Sequence, residues 1–476
     1  MARTIPLLDL AMLWIDGPRT PANVGVLIVL EPPRGRSATA AARRLVAAYR
    51  STPPTAPFDS VPDLAPLRLP QWRRCPDVDL KRHVLLDRLP APGDEAALCR
   101  HVARLHEAPL ERDRPLFRVH VIHGLASGRY AVYVKSHHAY WDGRYAMDRI
   151  FGRLASEPGP LPPPFFALPD AARVRESPAE APIDLPAVAR SAVGQVAAFG
   201  ELANRLVTRA RDAATGIAAP ANRPFGGPHT RLNEPVGAAR SFACFDLLLE
   251  DVRRVAHAAD GTANDVALAI VDAAVESYLD RCGERPDRPL IAMCPVSLRD
   301  PGDLEPTTKA ATLFVPLAEP GSAPAARLRQ VVASTRAAKS EFRSLSRDAA
   351  LDYALVAFTL SRAAQGLRLA SAPPVINFVV SNVGGVERPL YLGEHRIVGA
   401  YPVSMLADPT RLNVTIVSIA DRMHFGIIAD AGAVPDARVL ADGCLAAFGR
   451  LAAKRRRAVR AAPAKARPTR RRPPTG

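Results

Sequence analysis

No CxxC pair occurs in this chain: its six cysteines, Cys75, Cys99, Cys244, Cys282, Cys294 and Cys444, are scattered across 476 residues. That spacing offers neither a zinc site nor a disulfide framework, and it fits a reducing cytosol. Also missing is any apolar run near the ~18 residues that a membrane-spanning helix needs. The longest candidates, such as Val24 to Leu30, have strand length. The start, MARTIPLLDLAMLW, is interrupted by Asp9 and followed by no clean small-residue cleavage site, so no signal peptide is read. There is no short repeat and no G-x-S-x-G nucleophile elbow. A disulfide scaffold, a helical membrane-spanning protein and a serine hydrolase of the elbow type are set aside on these absences.

What is present is a globular composition, 48% hydrophobic and 23% charged, in a chain long enough for two domains. The net charge of +16 suggests nucleic acid until it is located. Ten lysines and arginines and no acid lie between Lys454 and Arg472, so the tail carries +10 of the +16 and the rest +6. The tail is rich in Pro and Ala and is expected to be disordered. Its bland reading is a solubilising appendage. Its sharper reading is attraction to anionic lipid headgroups, at about 1 kcal/mol per basic residue near a surface. Nucleic acid ranks third, since no aromatic interleaving accompanies the charge.

The pattern along the chain is mixed α/β. NVGVLIVLE reads as a strand, and ATAAARRLVAAYR and EAALCRHVARLHEAPL as helices. LFRVHVIHGL and RYAVYVKSHH read as strands joined through Ala126, Ser127 and Gly128. Residues 157–227 form a Pro-rich and helical connector between a first half, 1–156, and a second half, 228–453, followed by the tail at 454–476. In the second half, NDVALAIVDAAVESYLDRCG predicts a helix with Val266, Ile270, Ala273, Ala274 and Ser277 on its inner face, ending at Gly283. Asn264 is expected to cap it. RPLIAMCPVSLR, ATLFVPLA and VINFVVSN through MHFGIIAD read as strands, and PAARLRQVVASTRAAKSEF as an amphipathic helix.

The stretch KSHHAYWDGRYAMD, Lys135 to Asp148, carries the chemistry. Alternation along the strand sends Val132, Val134, Ser136 and His138 to one face and Tyr133, Lys135 and His137 to the other, so one histidine alone can face a given cleft. The following helix has Met147, Ile150, Phe151 and Leu154 at the spacing of a buried stripe. Asp142 and Gly143 fall at its start, where a carboxylate caps amides and glycine tolerates a tight backbone. A neutral imidazole is a suitable general base near pH 7, and a nearby helix start disfavours the imidazolium. Adjacent histidines on a strand diverge, so a metal site is a weak reading; a satisfied structural histidine is the bland reading, preferred for His137.

HHAYWDG, His137 to Gly143, fits the HHxxxDG pattern of a CoA-dependent acyltransferase superfamily that includes chloramphenicol acetyltransferase and peptide-synthetase condensation domains. Further matches run almost end to end. They are PLLDLAMLWIDGPRTPANVGVLIVLE, PQWRRCPDVDLKRHV, PAPGDEAAL, PLERDRPLFRVHVIHGL, TRLNEPVGAARSFA, GTANDVALAIVDAA, CPVSLRD, SNVGGVERPLYLG and YPVSMLADPTRLNVTIVSIADRMHFGIIADAGAVPD. Together they resemble the bacterial wax ester synthase/acyl-CoA:diacylglycerol acyltransferase family over roughly Pro6 to Ala453.

That resemblance implies two chloramphenicol-acetyltransferase-like α/β domains with mixed sheets and a tunnel between them. It implies His138 as general base, supported by His137, for attack of an alcohol on an acyl-CoA thioester, with no covalent intermediate and no cofactor or metal. Diacylglycerol giving triacylglycerol and a fatty alcohol giving wax ester are the implied acceptors. Asp142 is implied to hold the loop, with Arg299 its candidate ionic partner, and Asn264, Ser381 and Asn382 lie in matching motifs as candidate substrate-side residues.

The sequence departs from the family at several of these places. Tyr140 and Trp141 occupy positions usually small or aliphatic, Arg144 and Tyr145 follow the Asp-Gly, Gly384 replaces a usual proline, and Asn23 stands where many members carry histidine. Tyr140, Trp141, Arg144 and Tyr145 are therefore expected to shape acceptor choice. Other expected options are a specialised alcohol, a carrier-protein-bound acyl donor, or a non-catalytic lipid-binding relative. A chain of about 15 methylenes carries up to about 12 kcal/mol of transfer free energy, which calls for an apolar tunnel or a lipid surface. A cytoplasmic protein peripheral to the inner membrane face or to lipid droplets is the expected setting.

Overall fold

Strand β7 (Tyr130–His137) is buried along its whole length because it lies inside a sheet covered on both faces. The computed structural model describes residues 3–65, 70–168, 226–297, 310–343 and 374–461. β7 pairs antiparallel with β2 (Asn23–Glu31) on one side and β6 (Phe117–His123) on the other. β5 (Val84–Arg88) adds to β6 in parallel. The opposite edge is closed by β13 (His395–Val403), antiparallel to β2, and by β12 (Tyr391–Leu392).

The last two strands come from the second half of the chain, so the boundary expected at the connector divides the sequence but not the sheets. Backbone pairing decides this: β2 needs a partner on its free side, and β13 supplies it from Arg396 opposite Glu31 to Val403 opposite Gly25.

The second six-stranded sheet runs in the order β10 (Ala310–Pro316), β9 (Ile291–Ser297), β11 (Phe378–Val386), β14 (Leu412–Ile419), β15 (Arg422–Asp430), β8 (Arg240–Leu248). β11 is parallel to both of its neighbours and the other pairings are antiparallel, giving the mixed sheet expected. A small sheet of β1 (Arg3–Thr4), β4 (Gln71–Arg74) and β3 (Ser60–Asp63) flanks the first half.

The helix predicted at Ala38–Arg50 forms, and the one predicted over residues 95–110 forms as Glu95–Glu107, stopping ahead of Pro109; each is opened by a capping side chain, Ser37 and Asp94 respectively. The Glu95–Glu107 helix packs against β2 of its own half and β8 of the other, tying the halves together. The helix Ala263–Arg281 differs from its expected one-sided stripe. Leu268, Val271, Val275 and Tyr278 are buried along with Val266 and Ile270, while Ser277 is exposed. The helices Leu249–His257, Pro324–Arg343 and Arg438–Ala461 all pack on it, so it is a core helix apolar on most sides. Its fully buried Val, Leu and Ile side chains contribute ~1.5–3 kcal/mol each.

Its cap also differs. Thr262, not Asn264, accepts the amide of Asp265, and Asp265 returns a bond to the Thr262 N–H, completing a capping box. The C-terminal helix continues past Lys454 to Ala461, into the segment expected to be disordered. Arg and Ala are strong helix formers, and the first proline comes only at Pro463. Among the described residues no helix is long and apolar enough to cross a membrane.

Candidate active site

At the end of β7 the chain makes a 3-10 turn over His138–Tyr140 and enters the helix Gly143–Phe151. Main-chain bonds fix this corner: His137 N–H donates to Leu116 O (2.9 Å) and His138 N–H to Ala22 O (2.8 Å). Asp142 caps the helix, its Oδ1 accepting from Tyr145 N–H at 2.8 Å. Phe151 and Leu154 are buried behind the corner as the stripe predicted.

The two histidines part at the strand end, His137 being the last residue of β7 and His138 the first of the 3-10 turn, where the sequence pattern runs the strand through both. His137 Nδ1 accepts from Ala139 N–H at 3.1 Å, which leaves its proton on Nε2, 3.7 Å from Asp16 Oδ2. Burial alone would raise the Asp16 carboxyl. His137, the Ala22 N–H and Arg112 outweigh it and hold Asp16 below the usual carboxylate range. His138 lines a cavity of about 530 Å³ between the halves, within the range of ~300–1,000 Å³ common for ligand sites. Burial lowers the His138 pKa below its ordinary value. Its own carbonyl and Asp142 pull weakly the other way. Its Nδ1 is buried with no hydrogen-bond partner among the described residues.

Gly143 is needed where it stands: a Cβ there would lie 2.6 Å from Val383 Cγ1. β11 approaches the helix start through an irregular stretch in which Gly384 takes φ +85° and Asn382 Oδ1 accepts from Gly384 N–H at 3.1 Å. Ser381, Asn382 and Arg144 all line the cavity, and Arg144 pairs with Asp148 at 3.2 Å.

The aromatic residues of the motif divide. Trp141 lines the cavity, with its ring edge-on to Phe58 at 5.0 Å and its buried indole N–H without a partner among the described residues. Tyr140 does not reach the cavity. Its hydroxyl accepts from Leu116 N–H at 2.9 Å and donates to Ser60 O, so the 3-10 turn has carried it into the core. Tyr145 is likewise inside, its hydroxyl accepting from Arg149 at 3.0 Å. Of the four residues expected to shape acceptor choice, Trp141 and Arg144 line the cavity, and Tyr140 and Tyr145 are buried away from it. Asn264 sits in the first turn of its helix, away from the cavity lining, and Arg299 lies outside the described residues.

Sequence reasoning missed Thr312, Asn413 and Thr415 on β10 and β14, which line the cavity while nine-tenths buried. A signal existed: LNVTIVSI sets Asn413 and Thr415 two residues apart, on one face of an otherwise apolar strand. It also missed the helix Leu7–Ile15, whose Ala11, Met12 and Ile15 wall the cavity. Behind the site, His106 accepts from Tyr133 hydroxyl at 2.7 Å and donates to the carbonyl of cavity residue Ser404 at 2.9 Å.

The comparisons agree with this architecture. The model of the wax ester synthase/diacylglycerol acyltransferase catalytic domain matches residues 6–267, and that of the WS/DGAT C-terminal domain matches residues 308–452. A Mycobacterium tuberculosis protein named as a diacylglycerol O-acyltransferase is 34% identical over 447 residues, 90% of this chain and 94% of its own. A Mycobacterium bovis relative of the same description is 33% identical over 452 residues, 91% of this chain and 88% of its own. The solved wax ester synthase/diacylglycerol acyltransferase of Marinobacter aquaeolei VT8 superposes with a TM-score of 0.74 at 26% identity, covering 95% of this chain and 99% of that one. The first condensation domain of the CDA synthetase shares the fold, with a TM-score of 0.54 at 17% identity over 95% of this chain and 96% of its own. The chain belongs to the wax ester synthase/diacylglycerol acyltransferase family and is an acyltransferase.

Proposed function

We propose that this enzyme moves a long-chain acyl group from acyl-CoA to the hydroxyl of an alcohol, diacylglycerol or a fatty alcohol, with His138 as general base. The observation that carries the reading is His138 itself, a histidine kept neutral by burial in the wall of a largely apolar cavity. With the proton of the neutral ring carried on the buried Nδ1, the Nε2 lone pair is left for substrate.

In the reaction, Nε2 takes the proton of the alcohol as its oxygen bonds to the thioester carbon. The carbonyl electrons move to oxygen, and the tetrahedral adduct collapses as the C–S bond breaks. The imidazolium returns the proton to sulfur and CoA leaves as thiol. Ser381 and Asn382, which line the same cavity from β11, are the candidate oxyanion-side groups. The step needs neither metal nor prosthetic group. Asp142 acts through the loop: it caps the helix whose start abuts β11 and tempers the His138 pKa.

The basic C-terminal segment suits attachment to an anionic membrane or lipid-droplet surface, where such substrates reside. Co-sedimentation with anionic vesicles that disappears at high salt or on deletion of residues 462–476 is the expected result, and salt-independent or absent binding counts against it.

Catalysis is tested by release of free CoA from palmitoyl-CoA with dipalmitoylglycerol, hexadecanol and a short alcohol. His138→Ala should lower the rate by roughly 10²–10⁴. Equal turnover by the folded variant rules out His138 as the base.

A further inference from the structure

The two walls of the cavity differ in chemistry. Away from the corner that carries His138, Asp142 and Arg144, the first half contributes apolar side chains, among them Met12, Ile15, Val26, Val134, Met147 and Ile150. The second half contributes a polar row across its sheet. Strand register sets Ser381 opposite Thr415 and Val379 opposite Asn413, while Thr312 on β10 pairs with Pro295 on β9. The β9–β11 ladder runs Phe378 to Ala292 and Val379 to Met293. Continued for two residues, that register would set Ser381 beside Pro295, so that the row would read Thr312, Pro295, Ser381, Thr415. Four strands at about 4.8 Å spacing make this row about 14 Å wide, long enough to touch several groups of one ligand.

Hydrogen-bond accounting shows what the row still offers. Thr415 Oγ1 gives its proton to Asn413 Oδ1 at 3.0 Å, and one Asn413 N–H goes to Met405 O at 3.2 Å. Among the described residues the second Asn413 N–H, the Thr415 lone pairs and the whole Thr312 hydroxyl are left over. These residues are only 5%, 5% and 6% exposed, respectively, so their spare capacity can be met only from within the cavity. A ligand that displaces cavity water must replace those bonds or leave them unmade. A simple long-chain alkanol brings one oxygen, which His138 requires. An acylglycerol brings, beside its reacting hydroxyl, ester carbonyls that accept from Asn413 N–H and the Thr312 hydroxyl.

We propose that Thr312 and Asn413 are the acceptor-selecting residues of this enzyme, hydrogen-bonding the ester oxygens beside the reacting hydroxyl and so favouring an acylglycerol over an alkanol, with Thr415 as the positioning residue that holds the Asn413 amide through its Oδ1. This rests on the acyl transfer at His138 proposed above.

The test uses the full chain with palmitoyl-CoA and compares dipalmitoylglycerol with hexadecanol in matched mixed micelles, for wild type, Thr312→Val, Thr415→Val, Asn413→Leu and the hydroxyl-retaining Thr415→Ser. Loss of one such bond is worth about tenfold. The expected result is a wild type that prefers dipalmitoylglycerol and a KM for it raised about tenfold in the Val and Leu variants. Their KM for hexadecanol should change far less, and Thr415→Ser should stay near wild type. A wild type that prefers hexadecanol overturns the proposal, as does an unchanged acceptor ratio in folded variants. Equal loss on both acceptors with a raised KM for palmitoyl-CoA assigns the row to the amides of the donor and also overturns it. Wild type that releases no CoA with any acceptor fails the acyl-transfer reading instead. Protection from thermal unfolding by dihexanoylglycerol but not hexanol, lost in Thr312→Val/Thr415→Val, then still decides the role of the row.

Discussion

Gly143 and Val383 meet where the two halves of the chain close on the His138 corner: a Cβ on Gly143 would stand 2.6 Å from Val383 Cγ1. The glycine that looks from the sequence like a helix-start convenience is a close-approach residue between domains. Gly143→Ala must push β11 from the helix start, at a cost of about 1–3 kcal/mol. Val383→Ala removes the opposing methyl groups. In a double-mutant cycle by urea unfolding, Gly143→Ala/Val383→Ala should be more stable than the sum of the single changes implies, and CoA release should recover in parallel. Strict additivity would mean the contact does not limit packing there.

His138 sets the second expectation. Because burial lowers its pKa beneath the ordinary 6.5, the imidazole is neutral throughout the neutral range and the acid limb of kcat/KM should fall below that pH. Asp142 stabilises the imidazolium, so Asp142→Asn should move the limb further toward acid. Asparagine still caps a helix, and the urea midpoint of the variant, measured alongside, separates a change in the limb from a loss of folding. A limb that moves up instead would show that Asp142 acts on a different group.

Local rules made much of the site legible. Period two placed Val134 of β7 on the cavity side and Tyr133 and Lys135 away from it, although the strand ends at His137 and His138 already belongs to the turn. The loop after the strand was harder: neighbours in sequence, Tyr140 and Trp141, face opposite ways because a 3-10 turn intervenes. The least legible parts were non-local. That β13 completes the first sheet depends on which strand edge is free, and that Thr312, Ser381 and Thr415 share a row depends on registers across four strands. Neither is encoded in any single segment.

Lys135 is buried beneath the corner, its Nζ donating to Leu105 O at 2.7 Å and to Ala108 O at the end of the Glu95–Glu107 helix. Burial, with Arg118 adding to it, pushes its pKa down to about 7. An unfolded lysine titrates near ~10.4, so between those values the unfolded chain holds more protons and stability rises with pH. Wild type should therefore gain stability relative to Lys135→Met, on the order of a few kcal/mol, as urea unfolding is followed from pH 7 to 10. Parallel profiles for the two proteins would contradict this.

His106 works in the opposite pH range. Burial first, then Lys135 and Arg240, press its pKa down to about 3, so the folded protein holds it neutral with Nε2–H bonded to Ser404 O. The unfolded side chain takes up a proton below ~6.5, so this stability is present above that pH and is lost as pH falls toward 3. His106→Gln keeps an N–H for Ser404 but cannot titrate. Its urea midpoint should decline less than that of wild type between pH 6.5 and 4, and an equal decline would place the acid sensitivity elsewhere.

Tyr140 and Trp141 give the sharpest contrast, since they are adjacent and differ in what their side chains touch. Tyr140→Phe strips the Leu116 N–H of its acceptor and the Ser60 carbonyl of its donor, both in the core. It should cost about 1–3 kcal/mol of stability and leave substrate preference alone. Trp141→Phe removes bulk from the cavity wall and an indole N–H with no partner among the described residues. It should lose little polar stabilisation but shift the optimum toward longer or bulkier acyl chains, read as relative CoA release across acyl-CoAs of increasing length. If Tyr140→Phe moves the chain-length optimum while Trp141→Phe does not, the division of the motif into a core-facing and a cavity-facing aromatic is wrong. If both leave the optimum unchanged, acyl-chain length is set by other walls of the cavity, of which the buried Phe151 and the facing Met293 are the next to vary.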